Sequence, residues 1–169
     1  MYTYRSLIKS DYETICSFPR NAEELYYMFP SATFPLTPEQ IEESVKNRMM
    51  PTAFFYNNEL AAFANLYGLE DDHCWLGNVI VSPRHRGKGV ARYLIETMSA
   101  IAVKELSVQK LKLVCHNTNT RALLLYTKNR FIPYEISVRE KPNGEKIAGI
   151  HMELCLIRTG EAINTHEAY

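Results

Sequence analysis

The chain has 169 residues, 46% hydrophobic and 22% charged, which are ordinary globular values; that length suits one domain burying roughly 70% of the surface its unfolded form exposes. The 19 basic residues cancel the 19 acidic ones, so the broad positive footprint of a nucleic-acid binder is missing and any positive potential must be local. Cys16, Cys74, Cys115 and Cys155 form no Cys-x-x-Cys, the first residues carry no apolar signal core, and no apolar run approaches the ~18 residues of a membrane span, so the expectation is a cytoplasmic protein with reduced thiols and no membrane partner.

Tyr2 to Ile8 alternate weakly and are predicted as a first strand, and Ser10-Asp11 offers a cap for a helix over Tyr12 to Phe18 that Pro19 ends. Asn21 caps a second short helix with Glu23 and Glu24 in its first turn, followed by Leu25 and Met28. Thr37-Pro38-Glu39-Gln40 reads as a capping box with proline at the first helical position, and this helix is expected to run to about Met49, with Pro51 as its breaker. Thr52 to Tyr56 and Leu60 to Tyr67 flank Asn57-Asn58-Glu59 as a hairpin. Glu70-Asp71-Asp72 is an acidic turn before a strand over His73 to Val81.

After that strand a helix is predicted from Gly87 to about Glu105, with Val90, Leu94, Met98 and Ile101 at helical spacing. Lys110 to Cys115 is another apolar strand, Asn117 to Thr120 opens a helix through Lys128, and Phe131 to Glu140 with Lys146 to Leu156 form a hairpin around Pro142-Asn143-Gly144. The strand, helix, strand, helix order calls for a right-handed crossover between parallel strands. Residues 1–156 are therefore expected to be one domain, and Ile157 to Tyr169, which lack periodicity, a frayed tail.

The chemistry concentrates between the strand ending at Val81 and the helix after it. Gly87 and Gly89 let backbone approach a ligand, and the helix start presents unpaired N–H groups at the positive end of its dipole. Arg84, Arg86 and Lys88 add three cations, a combination suited to a pyrophosphate. A Walker loop would need glycine at Ser82 and Ser or Thr at Gly89, and the dinucleotide fingerprint would need glycine or alanine at Arg92, so neither applies.

Arg-x-x-Gly-x-Gly on Arg84, Gly87 and Gly89, between a valine-rich strand and an amphipathic helix, resembles the acetyl-CoA-binding motif of the GNAT superfamily of N-acetyltransferases. Asn119 to Phe131, with Ala122, Leu125 and Tyr126 in step, is similar to the second half of that signature, except that Arg130 stands where the family usually has glycine. The resemblance spans roughly Val79 to Phe131. It implies an α/β fold with a mostly antiparallel mixed sheet of six or seven strands, a central parallel pair and about four flanking helices.

It also implies acetyl-CoA as cofactor and a primary amine, a small molecule or a protein N-terminus, as acceptor. The pyrophosphate would sit on backbone N–H groups from Arg86 through Gly87, Lys88, Gly89 and Val90 to Ala91, and the pantetheine arm would run beside Val79, Ile80 and Val81 like an added strand, near Asn119 and Ala122. Tyr126 would be the general acid. For the base the residues leave alternatives open: His73, the acidic turn Glu70-Asp71-Asp72 before it, or His116 at the end of the neighbouring strand. No metal is expected, because His73-Cys74 and Cys115-His116 match no zinc spacing. The rival reading is an acyl-CoA-binding sensor without turnover. A homodimer through the last hairpin is compatible with either.

Overall fold

The computed structural model describes residues 1–158 and 161–162. β1 (Tyr2–Ser6) is followed by three short helices, α1 (Tyr12–Cys16), α2 (Ala22–Met28) and α3 (Pro38–Val45), then by β2 (Met49–Tyr56), β3 (Glu59–Tyr67) and β4 (His73–Val81). α4 (Val90–Leu106), β5 (Lys110–His116), α5 (Thr120–Lys128), β6 (Ile132–Glu140) and β7 (Lys146–Cys155) complete a seven-stranded sheet of order β1-β2-β3-β4-β5-β7-β6. Every neighbouring pair is antiparallel except β4 and β5, as expected of the central crossover. Ile157–Arg158 and Glu161–Ala162 pair as a separate two-residue ladder, and the rest of the expected tail lies outside the described residues.

The local signals explain most boundaries. Asn21 accepts a hydrogen bond from Glu24 N, and Thr37 accepts one from Gln40 N at 3.4 Å, so both caps form. The reciprocal half of the box at Thr37 does not form, because the Gln40 amide is bound to the backbone of Thr33 and Pro35. Asn57 and Asn58 both have positive φ, the geometry of the tight hairpin turn between β2 and β3. The helix expected to reach Met49 stops at Val45 instead, and Pro51 lies inside β2. A bulge between Met49 and Thr52 with Met50 at φ 48° accommodates the proline, which has no N–H for the ladder to lose.

Alternation along β3 divides the interior. Ala62, Ala64 and Leu66 face a core with Leu94 and Met98 of α4, Leu111 and Leu113 of β5, and Tyr126 and Phe131. Phe63 points the other way, with Ile80, into a second core formed by Tyr12, Ile15, Phe18, Leu25 and Ile41 of α1 to α3. The sheet is thus covered on both faces. Among the described residues no helix is long and apolar enough to cross a membrane.

Asn78 sits at φ 51° in the middle of β4, where the register against β3 shifts by one residue. Its side chain is fixed on both sides: Asn65 Nδ2 donates to its Oδ1 at 2.8 Å, and its own Nδ2 donates to Met28 O at 3.0 Å. The parallel ladder between β4 and β5 holds only at His73 to Trp75 against Lys110 to Lys112. Beyond it β4 stays with β3 and β5 stays with β7, leaving the edges from Gly77 to Val81 and from Leu113 to His116 facing each other without a ladder.

Candidate active site

The glycine turn closes one end of this opening. Pro83–His85 make a 3-10 turn, and Gly87 and Gly89 follow with φ 76° and 77°, values that favour glycine. A Cβ on Gly87 would meet nothing within 4 Å, so its bare backbone faces open space, whereas one on Gly89 would strike the Tyr2 hydroxyl at 2.6 Å. That hydroxyl donates to Lys88 O at 2.6 Å, and the Tyr2 ring stacks on Tyr93 of α4. The first intrahelical bond runs from Tyr93 N to Gly89 O, so the N–H groups of Val90, Ala91 and Arg92 have no acceptor within the helix and point at the turn.

The three cations expected here play other parts. Arg86 lines the cleft, but its guanidinium is held by Glu24, with Nη1 and Nη2 each 3.0 Å from a carboxylate oxygen, and Nε donates to Val81 O. Arg84 is exposed and does not line the cleft; neither does Lys88, whose ammonium lies over the Tyr56 ring. An anion at this turn would rely on backbone N–H groups; Arg20, Arg92 and Arg121 also line the cleft, Arg20 paired with Glu24 and Arg92 with Glu96. The spacing missed these three because they sit on α2's approach, α4 and α5.

Between the parted strands runs a cleft of about 1490 Å³. Asn78, Val79, Ile80 and Val81 line one side and Leu113 to His116 the other, with Asn119, Ala122 and Tyr126 at the base. Ile80 turns its side chain into the α1 to α3 core. Asn119 is the α5 cap and accepts from Ala122 N at 3.3 Å. Tyr126 is 7% exposed with its ring against Phe131, and burial, then the neighbouring Cys115, raises its phenol well above the ordinary value.

Residues 9–131 match the sequence model of the acetyltransferase (GNAT) family. The chain belongs to that family. It is an acetyl-CoA-dependent N-acetyltransferase, and the exposed Gly87 backbone, the free helix N–H groups and the unpaired strand edges fit that ligand. No curated protein matches the sequence. Solved structures of similar fold include the spermidine N-acetyltransferase of Vibrio cholerae, crystallised with CoA and spermine, at 20% identity over 91% of this chain and 95% of that one, with a TM-score of 0.76. The ribosomal-protein-S18-alanine N-acetyltransferase of Escherichia coli aligns at 22% identity over 99% and 100%, with a TM-score of 0.68. An N-acetyltransferase of Staphylococcus aureus Mu50 aligns at 17% over 92% and 98%, with a TM-score of 0.69.

The base candidates separate in this GNAT fold. His73 and Asp72 do not reach the cleft: they lie where β4 and β5 are still laddered, about 26 Å along β4 from Val81. His73 is closed off by Asp72 at 2.6 Å and Glu70 at 3.5 Å. His116, the other option, lines the cleft. Its ring stacks on Tyr26 at 4.8 Å and lies near Tyr27, so the aromatic residues of α2 wall the site beside it. Burial, with Arg139 and Lys141 nearby, lowers its pKa and keeps the imidazole neutral near pH 7. Among the described residues no group of three or more His, Cys, Asp or Glu is placed to hold a metal.

Arg130, the departure from the family pattern, takes up the left-handed conformation itself at φ 67°. Phe131 N bonds Tyr126 O and Arg130 N bonds Thr127 O, so a complete Schellman cap forms without glycine.

Proposed function

We propose that the protein acetylates a primary amine by direct attack, with His116 accepting the amine proton, directly or through one water, and Tyr126 protonating the departing thiolate. The observation that carries this reading is the placement of both groups on one cleft, in the opening between β4 and β5. Acetyl-CoA supplies the activated thioester; the C–N bond forms as the C–S bond breaks, and the amine loses the proton that His116 takes.

The proton balance at Tyr126 is supported by its neighbour. A phenol is an unpromising donor to a thiolate in water, where the thiol is the stronger acid. Burial pushes the Cys115 thiol beside Tyr126 up to about 12, so these surroundings disfavour a thiolate and favour protonation of the departing sulfur. The same desolvation keeps Tyr126 protonated until it is needed. A cytoplasmic setting fits the free thiols of Cys16, Cys74 and Cys115, and a homodimer through β6, at the sheet edge with Ile132, Ile136 and Val138 exposed, extends the reading.

Thiol release from acetyl-CoA, measured against a panel of primary amines, tests the proposal. Amine-dependent release that Tyr126→Phe abolishes while CoA still stabilises the fold is the expected result. Stabilisation by CoA with no amine-dependent release would leave a binding protein and overturn it.

A further inference from the structure

Beyond the bulge, at the end of the cleft away from the glycine turn, lie three residues that acetyl-CoA binding does not explain: Arg48, at the entry to β2, Tyr67 on β3 and Arg139 on β6. The Arg48 guanidinium lies 4.1 Å from the Tyr67 ring centre, and its Nη1 is buried with no hydrogen-bond partner. Gly77 makes room for it, since a Cβ there would sit 3.1 Å from that nitrogen and 2.9 Å from the Tyr67 ring. Arg139 crosses the missing side chain of Gly149, where a Cβ would meet its Nε at 2.9 Å, and Gly149 is the register partner of His116. The positive fields of both arginines reach the Tyr67 phenol, so all three converge on one region.

Among the described residues neither arginine has a carboxylate partner. The carboxylates that line the cleft are Glu23, Glu24 and Glu140; Glu24 is committed to Arg20 and Arg86, and Glu23 accepts from Tyr27. A buried guanidinium nitrogen without an acceptor is costly, and a planar fork of donors suits a carboxylate. A polycationic acceptor would meet repulsion here.

Resting on the acetyl-transfer reading above, we infer that the acceptor is a small amine that also carries a carboxylate, as an amino acid does, and that Arg48 and Arg139 bind the carboxylate while the amine faces His116. Both glycines would then be specificity features, keeping space for the two guanidiniums.

The test uses matched pairs, α-amino acids and their decarboxylated amines, with spermidine as the polycationic control. kcat/KM for the amino acid of a pair is expected to exceed that for its amine by about tenfold to a hundredfold, and Arg48→Gln or Arg139→Gln to collapse that ratio through KM. Decarboxylated amines or spermidine used equally well or better, or a ratio untouched in both variants, would overturn the inference. Calorimetric binding of the same pairs to the full chain with CoA reads it without turnover. Amino-acid binding that depends on the carboxylate and on Arg48 supports the subsite even if no amine is acetylated, which would count against the transfer reading alone. Equal or absent binding of both members, with CoA bound, overturns the subsite.

Discussion

Glu24 of α2 grips Arg86 of the glycine turn with both carboxylate oxygens, 62 residues apart in sequence and 3.0 Å apart at each contact. Arg86, with help from Arg20, holds the Glu24 carboxyl down to about 2 against the opposing effect of burial. A carboxylate whose folded pKa is depressed stabilises fully above its ordinary value of 4.5 and loses that contribution as pH falls toward 2. Glu24→Gln is therefore expected to lower Tm at pH 7, at about 2–4 °C per kcal/mol for a chain of this size. The gap from the parent should shrink between pH 4.5 and pH 2 in calorimetric scans. A gap that persists at pH 2 would mean the pair does not act through ionisation.

Tyr126→Phe keeps the ring that packs on Phe131 and removes only the proton donor. A fall of about 10² to 10⁴ in kcat is expected, with acetyl-CoA affinity retained in a binding titration. Unchanged turnover would exclude the acid role.

For His116 the decisive readout is a pH profile. The imidazole must be neutral to accept a proton and its pKa lies below the ordinary 6.5, so kcat/KM should rise with pH along a limb whose midpoint is under that value. His116→Gln should remove this limb and slow turnover by about 10² or more. Retention of the limb would send the search elsewhere in the cleft, and His73→Gln, at the laddered end of β4, is expected to leave it in place.

Gly87→Ala separates strain from occupancy. The methyl group meets no atom of the protein, so the fold loses only the cost of a left-handed alanine, about 1–2 kcal/mol. The KM for acetyl-CoA should rise by about tenfold or more, because the methyl stands where backbone must approach the ligand. Initial-rate kinetics at saturating amine would show it.

Arg130→Gly is expected to raise stability by about 0.5–1 kcal/mol, since relief of left-handed strain exceeds the added freedom of the unfolded chain. Chemical denaturation measures this directly; a loss would mean that the exposed arginine side chain contributes more than the strain removes.

What could be read from the sequence was what is local along the chain. Gly87, Gly89 and the helix after them, Asn119 as a cap and Tyr126 on its inward face are all fixed by spacing within a few residues, and each is found lining the cleft. The cap at Thr37 and the tight turn at Asn57-Asn58 belong to the same class. The role of Arg86 was not legible, because its partner comes from α2, and the choice between His73 and His116 required knowing where two parallel strands part company. The bulge at Asn78 lies in the parted stretch of β4, and periodicity carries no mark of a left-handed asparagine inside a strand. Arg48 and Arg139 reach one end of the cleft from strands that are far apart in sequence, so no motif could have joined them.

The bond from the Tyr2 hydroxyl to Lys88 O ties together residues 86 apart. Closing so long a loop carries an entropic cost that local turn formation does not, and in the fold the tether is held by the order β1-β2-β3-β4, which brings Tyr2 beside the turn. The affinity of the turn for acetyl-CoA is therefore expected to depend on the placement of β1 beside β2, β3 and β4 as well as on the six residues of the turn.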